Sequence, residues 1–207
     1  NKFNLENVYK DYPSLKNEIG SDGKDKRFRQ IVMERFPQLF TEQSGDNKLR
    51  TLGLIKRDRA YRYIDLKYVE KDSHIDKFKV FVPFSNGASG TLGDEPARLI
   101  SKPVIGKPFE GITQTFIGVG SFETQEEAEA LLKYIKSCFT RALLGLLKVT
   151  QGNKPETWAY VPLQDFTPQS DINWSKSIPE IDEQLYDKYG LSPEERDFIE
   201  THVKEME

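Results

Sequence analysis

The segment from Thr124 to Val149 most constrains the fold of this chain, because it combines a helix start signal with a long apolar stripe. Thr124 followed by Glu127 three residues later is a capping box. Apolar residues then recur at helical spacing, at Ala128, Leu131, Leu132, Ile135, Phe139, Ala142, Leu143 and Leu146. The pattern predicts one helix of roughly 37 Å, at about 1.5 Å per residue. A helix of that length can serve as the scaffold on which the rest of the chain packs.

The residues outside this helix carry the shorter patterns of strands, turns and brief helices. Alternation between turn signals predicts strands over residues 60–69, 78–84, 111–122 and, interrupted at Pro162, 158–166. Helical spacing and start signals predict short helices over residues 28–36, 178–190 and 192–206. Because strands come first and helices follow without βαβ alternation, the sequence predicts an α+β fold. We expect a mixed or antiparallel sheet packed on the long scaffold helix, with an acidic helical tail at the C-terminus.

The bulk composition is that of an ordinary soluble chain, with 37% of residues hydrophobic and 30% charged. No apolar run reaches the length of a membrane span, and the first residues lack the features of a signal peptide. We therefore expect a cytoplasmic protein with no membrane partner. The single cysteine, Cys138, excludes an internal disulfide, and two distant histidines form no zinc motif. The start at Asn1 rather than Met leads us to expect a fragment of a longer protein.

Charge is distributed unevenly along the chain. Residues 154–207 contain 5 Lys and Arg against 13 Asp and Glu, whereas residues 1–153 contain 25 against 20. Within the positive part, residues 48–62 carry six basic side chains and one acidic one, Asp58. Such local clusters, rather than the net charge of −3, determine how a protein attracts a polyanion. Tyr61 and Tyr63 interleave with these cations, so the segment can hold phosphates by charge and bases by stacking. The alternative is that these charges form a solvent-exposed face that binds no ligand.

The stretch "TFIGVGSFET", residues 115–124, has the form of a nucleotide-binding turn, because two glycines stand between a strand and a helix. Such a site needs an acidic residue on a following strand to hold the ribose, and an amino-methylating enzyme also needs a Pro-Pro-Tyr/Phe motif. The sequence has no Pro-Pro pair and no second buried strand after the helix. We therefore expect no cofactor here, and we interpret Gly118 and Gly120 as positions where another group packs closely.

Two further segments are candidates for chemistry. The glycine-rich residues 85–94 lack the Gly-Lys-Ser/Thr ending of a P-loop, so a DNA-facing loop fits them better than a nucleotide site. A plain flexible loop is equally compatible. Asp65 and Lys67 have the Asp-x-Lys arrangement of magnesium-dependent nucleases, with Asp58 as a candidate second carboxylate. The same pattern also arises when an Asp and a Lys simply face solvent on a strand.

Five stretches taken together resemble one known family. They read "KVFVPFSNGASG", "ARLISKPVIGKP", "TQTFIGVGSFETQEEAEALLKYIKSCFTRALLGLLKVTQ", "YVPLQDF" and "EQLYDKYGLSPEERDFIETHV". Over about residues 60–205 they are similar to the C-terminal target-recognition region of adenine-specific DNA methyltransferases from bacterial type II restriction-modification systems. The resemblance implies a double-stranded DNA partner and a catalytic domain elsewhere in the parent protein. It also implies that S-adenosylmethionine is a cofactor of that domain, and that this chain alone binds no cofactor and is catalytically silent.

The resemblance also implies positions for the DNA-facing residues. Lys79 begins a strand of the reading face, Ser85–Thr91 form a loop facing DNA, and Arg98, Ser101 and Lys102 flank the duplex. With the basic segment added, the predicted DNA-binding residues are Arg57, Arg59, Arg62, Lys79, Ser85, Asn86, Ser89, Thr91, Arg98 and Lys102. No catalytic or metal-binding residue is predicted.

Three segments follow from this interpretation. Residues 1–45 are expected to be a helical linker from the absent catalytic domain. Residues 46–166 are expected to form the target-recognition domain, and residues 167–207 an acidic helical tail packed on it. The alternatives are a magnesium-dependent endonuclease using Asp65 and Lys67, and a protein-interaction domain.

Overall fold

The computed structural model describes residues 1–20, 26–85, 92–148, 150 and 152–206. Over these residues the fold is α+β, as predicted, with seven helices and two small, mostly antiparallel sheets. The helices are α1 Leu5–Asp11, α2 Lys16–Ile19, α3 Val32–Arg35, α4 Gln125–Lys136, α5 Cys138–Leu147, α6 Ile178–Tyr189 and α7 Pro193–His202. The strands are β1 Lys48–Ile55, β2 Asp58–Asp65, β3 Phe78–Pro83, β4 Val104–Gly106, β5 Glu110–Ile112 and β6 Phe116–Phe122. No helix in this part of the chain is long and apolar enough to cross a membrane.

The chain forms two compact units, each assembled from two segments. Unit 1 contains residues 1–77 and 106–118, and unit 2 contains residues 78–105 and 119–207. The predicted boundary after residue 45 falls inside unit 1, and the one after residue 166 falls inside unit 2. The sheets have strand orders β2-β1-β5 and β4-β3-β6.

Unit 1 is built on a β-hairpin that covers an aromatic core. Strands β1 and β2 pair antiparallel from Lys48 with Asp65 to Ile55 with Asp58, and β5 adds to β1 in parallel. Leu49 and Ile64 are directly opposite each other, are 0% exposed and belong to the core. Because side chains alternate along a strand, these residues define the inward face of the hairpin. The core on that side includes four phenylalanine rings at centroid distances of 4.6 to 6.4 Å, those of Phe3, Phe28, Phe36 and Phe40.

The long scaffold helix predicted from Thr124 to Val149 is instead two helices, α4 and α5, separated at Ser137. The Ser137 backbone leaves the helical region, at ψ 148. Its hydroxyl donates to the Tyr134 carbonyl at 2.8 Å and accepts from the Thr140 N–H at 3.1 Å, so it caps the end of one helix and the start of the next. The predicted start of the segment is confirmed, since Thr124 and Glu127 form a capping box before α4.

Helices α6 and α7 lie close to where the sequence predicts them. Ser177 and Ser192 each form a capping box, with Glu180 and Glu195 respectively. Gly190 ends α6 in the left-handed conformation, at φ 64, which explains why a glycine stands there. Both helices pack against α5.

Two strand predictions and one helix prediction are wrong in their extent, and one predicted strand does not form. Residues 66–68 form a 3-10 helix rather than the end of a strand, and residues 111–122 are divided by a turn in which Thr113 O accepts from Phe116 N. Residues 158–166 form no strand, because turn bonds such as that from Val161 N–H to the Trp158 carbonyl use their backbone. The helix predicted over residues 28–36 covers only α3, because the Phe28 backbone bonds instead to Asn1 and Gln114.

The two glycines of "TFIGVGSFET" differ in environment. Gly120 has φ 76, and a Cβ there would overlap the side chains of Phe122 and Leu131. It is the close-packed position that the sequence predicts. A Cβ at Gly118 would meet only Ile112, at 4.0 Å, so the same prediction is wrong for Gly118.

Candidate nucleic-acid interface

The turn between β1 and β2 presents two exposed cations on strained backbone. Lys56 and Arg57 are the two turn residues, and both have left-handed backbone, at φ 49 and 75. A two-residue hairpin turn of this kind favours Asn-Gly, and a residue with a Cβ costs about 1–2 kcal/mol there. Neither side chain forms an ion pair with a residue that the structure describes, although the Lys56 N–H donates to Glu34 Oε1 at 3.3 Å. The turn therefore presents two exposed cations on backbone that residues with a Cβ rarely adopt.

Arginines and tyrosines share the outward face of the same hairpin. Arg50 is directly opposite Tyr63, and Arg59 and Tyr61 follow at alternate positions of β2. The Arg50 guanidinium carbon is 3.7 Å from the centre of the Tyr61 ring. That of Arg59 is 5.6 Å from the centre of the Phe116 ring. These are cation–π contacts, so the face combines charge with aromatic surface.

A buried carboxylate fixes the Arg50 guanidinium. Arg50 Nη1 donates to Glu110 Oε1 at 2.5 Å, and the Glu110 side chain is only 7% exposed. The other oxygen, Glu110 Oε2, accepts from the Lys107 N–H at 3.0 Å. Burial lowers the pKa of Arg50 and the hydrogen bond and charge of Glu110 raise it, with the net shift upward. This cluster was not among the predicted DNA-binding residues. The sequence feature that could have indicated it is Arg50 itself, a basic residue of β1 directly opposite Tyr63 of β2.

The predicted residues of unit 1 divide between the two faces of the hairpin. Arg57 is exposed at the turn, and Arg59 is exposed at the start of β2. Arg62 lies on the inward face, half-buried, with Nη2 2.7 Å from Glu42 Oε1 and Nη1 2.9 Å from the Tyr61 carbonyl. Arg57 and Arg59 are therefore both exposed at or near the turn, whereas Arg62 lies on the inward face.

The predicted residues of unit 2 have three different environments. Arg98 and Lys102 are exposed on one irregular segment, separated by the buried Leu99 and Ile100. Lys79 lies in β3 and is only 8% exposed. Ser85 is exposed and forms a β-bridge with Gly152. The remaining predicted residues, Asn86, Ser89 and Thr91, lie outside the described residues.

The nuclease residues are not arranged as the sequence pattern suggests. Lys67 lies in the 3-10 helix after β2, where its ammonium pairs with Asp11 at 2.7 Å, and that hydrogen bond raises its pKa. Asp58 and Asp65 are at opposite ends of β2, roughly 23 Å apart at about 3.3 Å per residue. They are too far apart to share a metal ion. Among the described residues, no group of three His, Cys, Asp or Glu side chains is placed to hold one.

Unit 2 carries exposed apolar side chains, which keep the protein-interaction alternative open. Leu163 is 99% exposed and Tyr160 is 58% exposed. A separate apolar cavity of about 350 Å³ lies between α5 and α7 and includes Leu146 and Phe198. Cys138 is buried, and burial raises its pKa to about 11, as expected of an unreactive core thiol.

No family model matches this chain, and no curated protein or solved structure matches it. A functional proposal therefore depends on the residues themselves and on the resemblance in sequence.

Proposed function

We propose that this chain is the DNA-recognition module of a site-specific adenine DNA methyltransferase or of a combined restriction and modification enzyme. It binds double-stranded DNA, while a catalytic domain of the same parent protein binds S-adenosylmethionine and transfers the methyl group. The bacterial cytoplasm is the corresponding location. The resemblance over about residues 60–205 supports the family, and the exposed cationic turn of the β1–β2 hairpin supports the binding of DNA.

The charge of the hairpin fits a polyanionic partner. Lys56 and Arg57 are exposed and adjacent, and Arg59 follows on the outward face. Cations that neutralise phosphates release bound counterions, which supplies most of the non-specific affinity for DNA. Arg98 and Lys102, exposed in unit 2, are the candidates for further phosphate contacts.

The shape of the hairpin also fits a duplex. A two-stranded β-ribbon can enter the major groove, which is about 12 Å wide, and the hairpin is two-stranded from Gly53 to Ala60, beyond the residues that pair with β5. The outward face of the β1–β2 ribbon carries Arg50, Arg59, Tyr61 and Tyr63. In this role the turn would contact phosphate, and the outward face would contact base edges.

The double variant Lys56→Asn with Arg57→Gly tests the turn. Asn-Gly suits left-handed turn residues, so the fold should gain roughly 1–2 kcal/mol of stability. The loss of two phosphate contacts should weaken duplex binding about ten-fold or more, and should reduce the slope of log affinity against log salt by about 2. Fluorescence anisotropy with a labelled duplex measures the affinity, and urea unfolding measures the stability.

A matched control removes two exposed cations elsewhere in unit 1. Lys10→Gln with Lys71→Gln makes the same change in net charge away from the hairpin, and its affinity should stay within about two-fold of the original. Equal losses of duplex affinity in the two double variants would show that net charge, not the turn, attracts DNA. An unchanged affinity of the Asn-Gly variant would exclude the turn as a contact.

A further inference from the structure

The geometry around Arg50 assigns it a role beyond charge. We infer that Arg50 reads a guanine in the major groove and that Glu110 is its positioning residue. This inference deepens the proposed function and rests on it.

Arg50 is held in place from two directions before any ligand binds. Its Nη1 donates to Glu110 Oε1 at 2.5 Å, and its guanidinium lies 3.7 Å from the centre of the Tyr61 ring. Glu110 is itself fixed, because it is buried and accepts from the Lys107 N–H at 3.0 Å. An arginine fixed in this way has less side-chain entropy to lose on binding, which favours geometric selectivity.

The guanidinium keeps donors available for a ligand. The Arg50 side chain is 41% exposed. Nη2 forms no hydrogen bond with any residue that the structure describes, and Nη1 has a second N–H. Two adjacent N–H groups match the O6 and N7 acceptors that guanine alone presents side by side in the major groove.

The Glu110 carboxylate favours a base over a phosphate as the ligand of Arg50. A phosphate bound there would lie close to a carboxylate of the same sign, whereas the guanine edge is neutral and accepts hydrogen bonds. The ion pair also cancels most of the attraction that Arg50 would have for a distant polyanion. Arg50 should therefore contribute to sequence preference much more than to non-specific affinity.

The test is selection from a randomised duplex library by the full chain, followed by sequencing. Arg50→Gln alone would leave the buried Glu110 carboxylate without its partner and would endanger folding. The variant is therefore Arg50→Gln with Glu110→Gln, which keeps an uncharged hydrogen-bonding pair of similar size. A thermal melt verifies that it folds. The separate variant Arg50→Lys tests whether a cation without the planar fork retains the preference for guanine.

The original chain should select a motif with guanine at one fixed position. In the Gln-Gln variant that position alone should lose roughly ten-fold or more of its preference, while binding to unrelated duplex changes less than about two-fold. The Arg50→Lys variant should retain little of the preference for guanine. The Asn-Gly turn variant should weaken binding to all sequences and keep the motif.

Other outcomes overturn the inference in distinguishable ways. An unchanged motif in the Gln-Gln variant would exclude base reading by Arg50 and leave the proposed function intact. An equal loss on all sequences, with a salt slope reduced by about 1, would make Arg50 a phosphate contact. Absence of duplex binding by the original chain would refute the proposed function together with the inference.

Discussion

Replacement of Arg141 by alanine should lower the free energy of unfolding of unit 2 by about 3–5 kcal/mol, since it removes a fully buried side chain and its hydrogen bonds to three backbone carbonyls. Arg141 is 0% exposed. Its Nε donates to the Lys136 carbonyl at 2.9 Å, and its Nη1 donates to the carbonyls of Arg98 at 3.2 Å and Lys204 at 2.5 Å. One side chain thus joins the end of α4, the irregular segment after β3 and the C-terminal segment.

Arg98→Ala is the matched control for Arg141→Ala. The Arg98 side chain is exposed, and only its carbonyl contacts Arg141, so the control should change stability by less than about 0.5 kcal/mol. Both tryptophans of the chain, Trp158 and Trp174, belong to unit 2, so their fluorescence in a urea titration reports on this unit. A loss below about 1 kcal/mol for Arg141→Ala would contradict the role assigned to this side chain.

Asp182 should contribute stability to unit 2 that is lost as the pH rises from about 4 to 6. This carboxylate is 6% exposed, and its oxygens accept the N–H groups of Cys138 at 3.0 Å and Phe139 at 2.9 Å at the start of α5. Burial raises its pKa from 3.8 to about 6, against the opposing effects of these N–H groups and of Arg141. The folded state therefore holds a proton that the unfolded state releases. The stabilisation is complete below about pH 4, and about 3 kcal/mol is lost as the pH passes 6.

Asp182→Asn isolates this contribution, because an amide of similar shape cannot titrate. The stability of the original chain relative to this variant should decrease over the interval from about pH 4 to 6. Asp197→Asn, an exposed change on α7, should leave the pH profile as it is. Parallel profiles for the original chain and Asp182→Asn would exclude Asp182 as a titrating group in this range.

Local capping signals predicted the ends of helices well. The long apolar pattern did not predict where the helix from Thr124 is interrupted. The capping boxes at Thr124 and Ser192 and the stop at Gly190 depend on neighbouring residues alone, so the sequence contains all that determines them. The break at Ser137 is capped by the Ser137 hydroxyl and also by Asp182, 45 residues later, which accepts from the first N–H groups of α5. The apolar spacing continues across this break, so periodicity alone could not reveal it.

The candidate interface was predicted in part for the same reason. The density of basic residues over 48–62 is a property of the sequence, and Arg57 and Arg59 are both exposed in the structure. The role proposed for Arg50 depends on Glu110, which lies beside it because β5 pairs with β1 in parallel. The inward direction of Arg62 follows from alternation along β2, because Arg62 shares a face with the buried Ile64.

The salt dependence of duplex binding tests the central claim most directly. If Lys56, Arg57, Arg59, Arg98 and Lys102 contact phosphates, log affinity should fall with log salt at a slope of roughly −3 to −5. Anisotropy titrations of the full chain between about 50 and 200 mM salt measure this slope. Undetectable binding at low salt, or an affinity that salt does not change, would contradict the proposal that this chain recognises DNA.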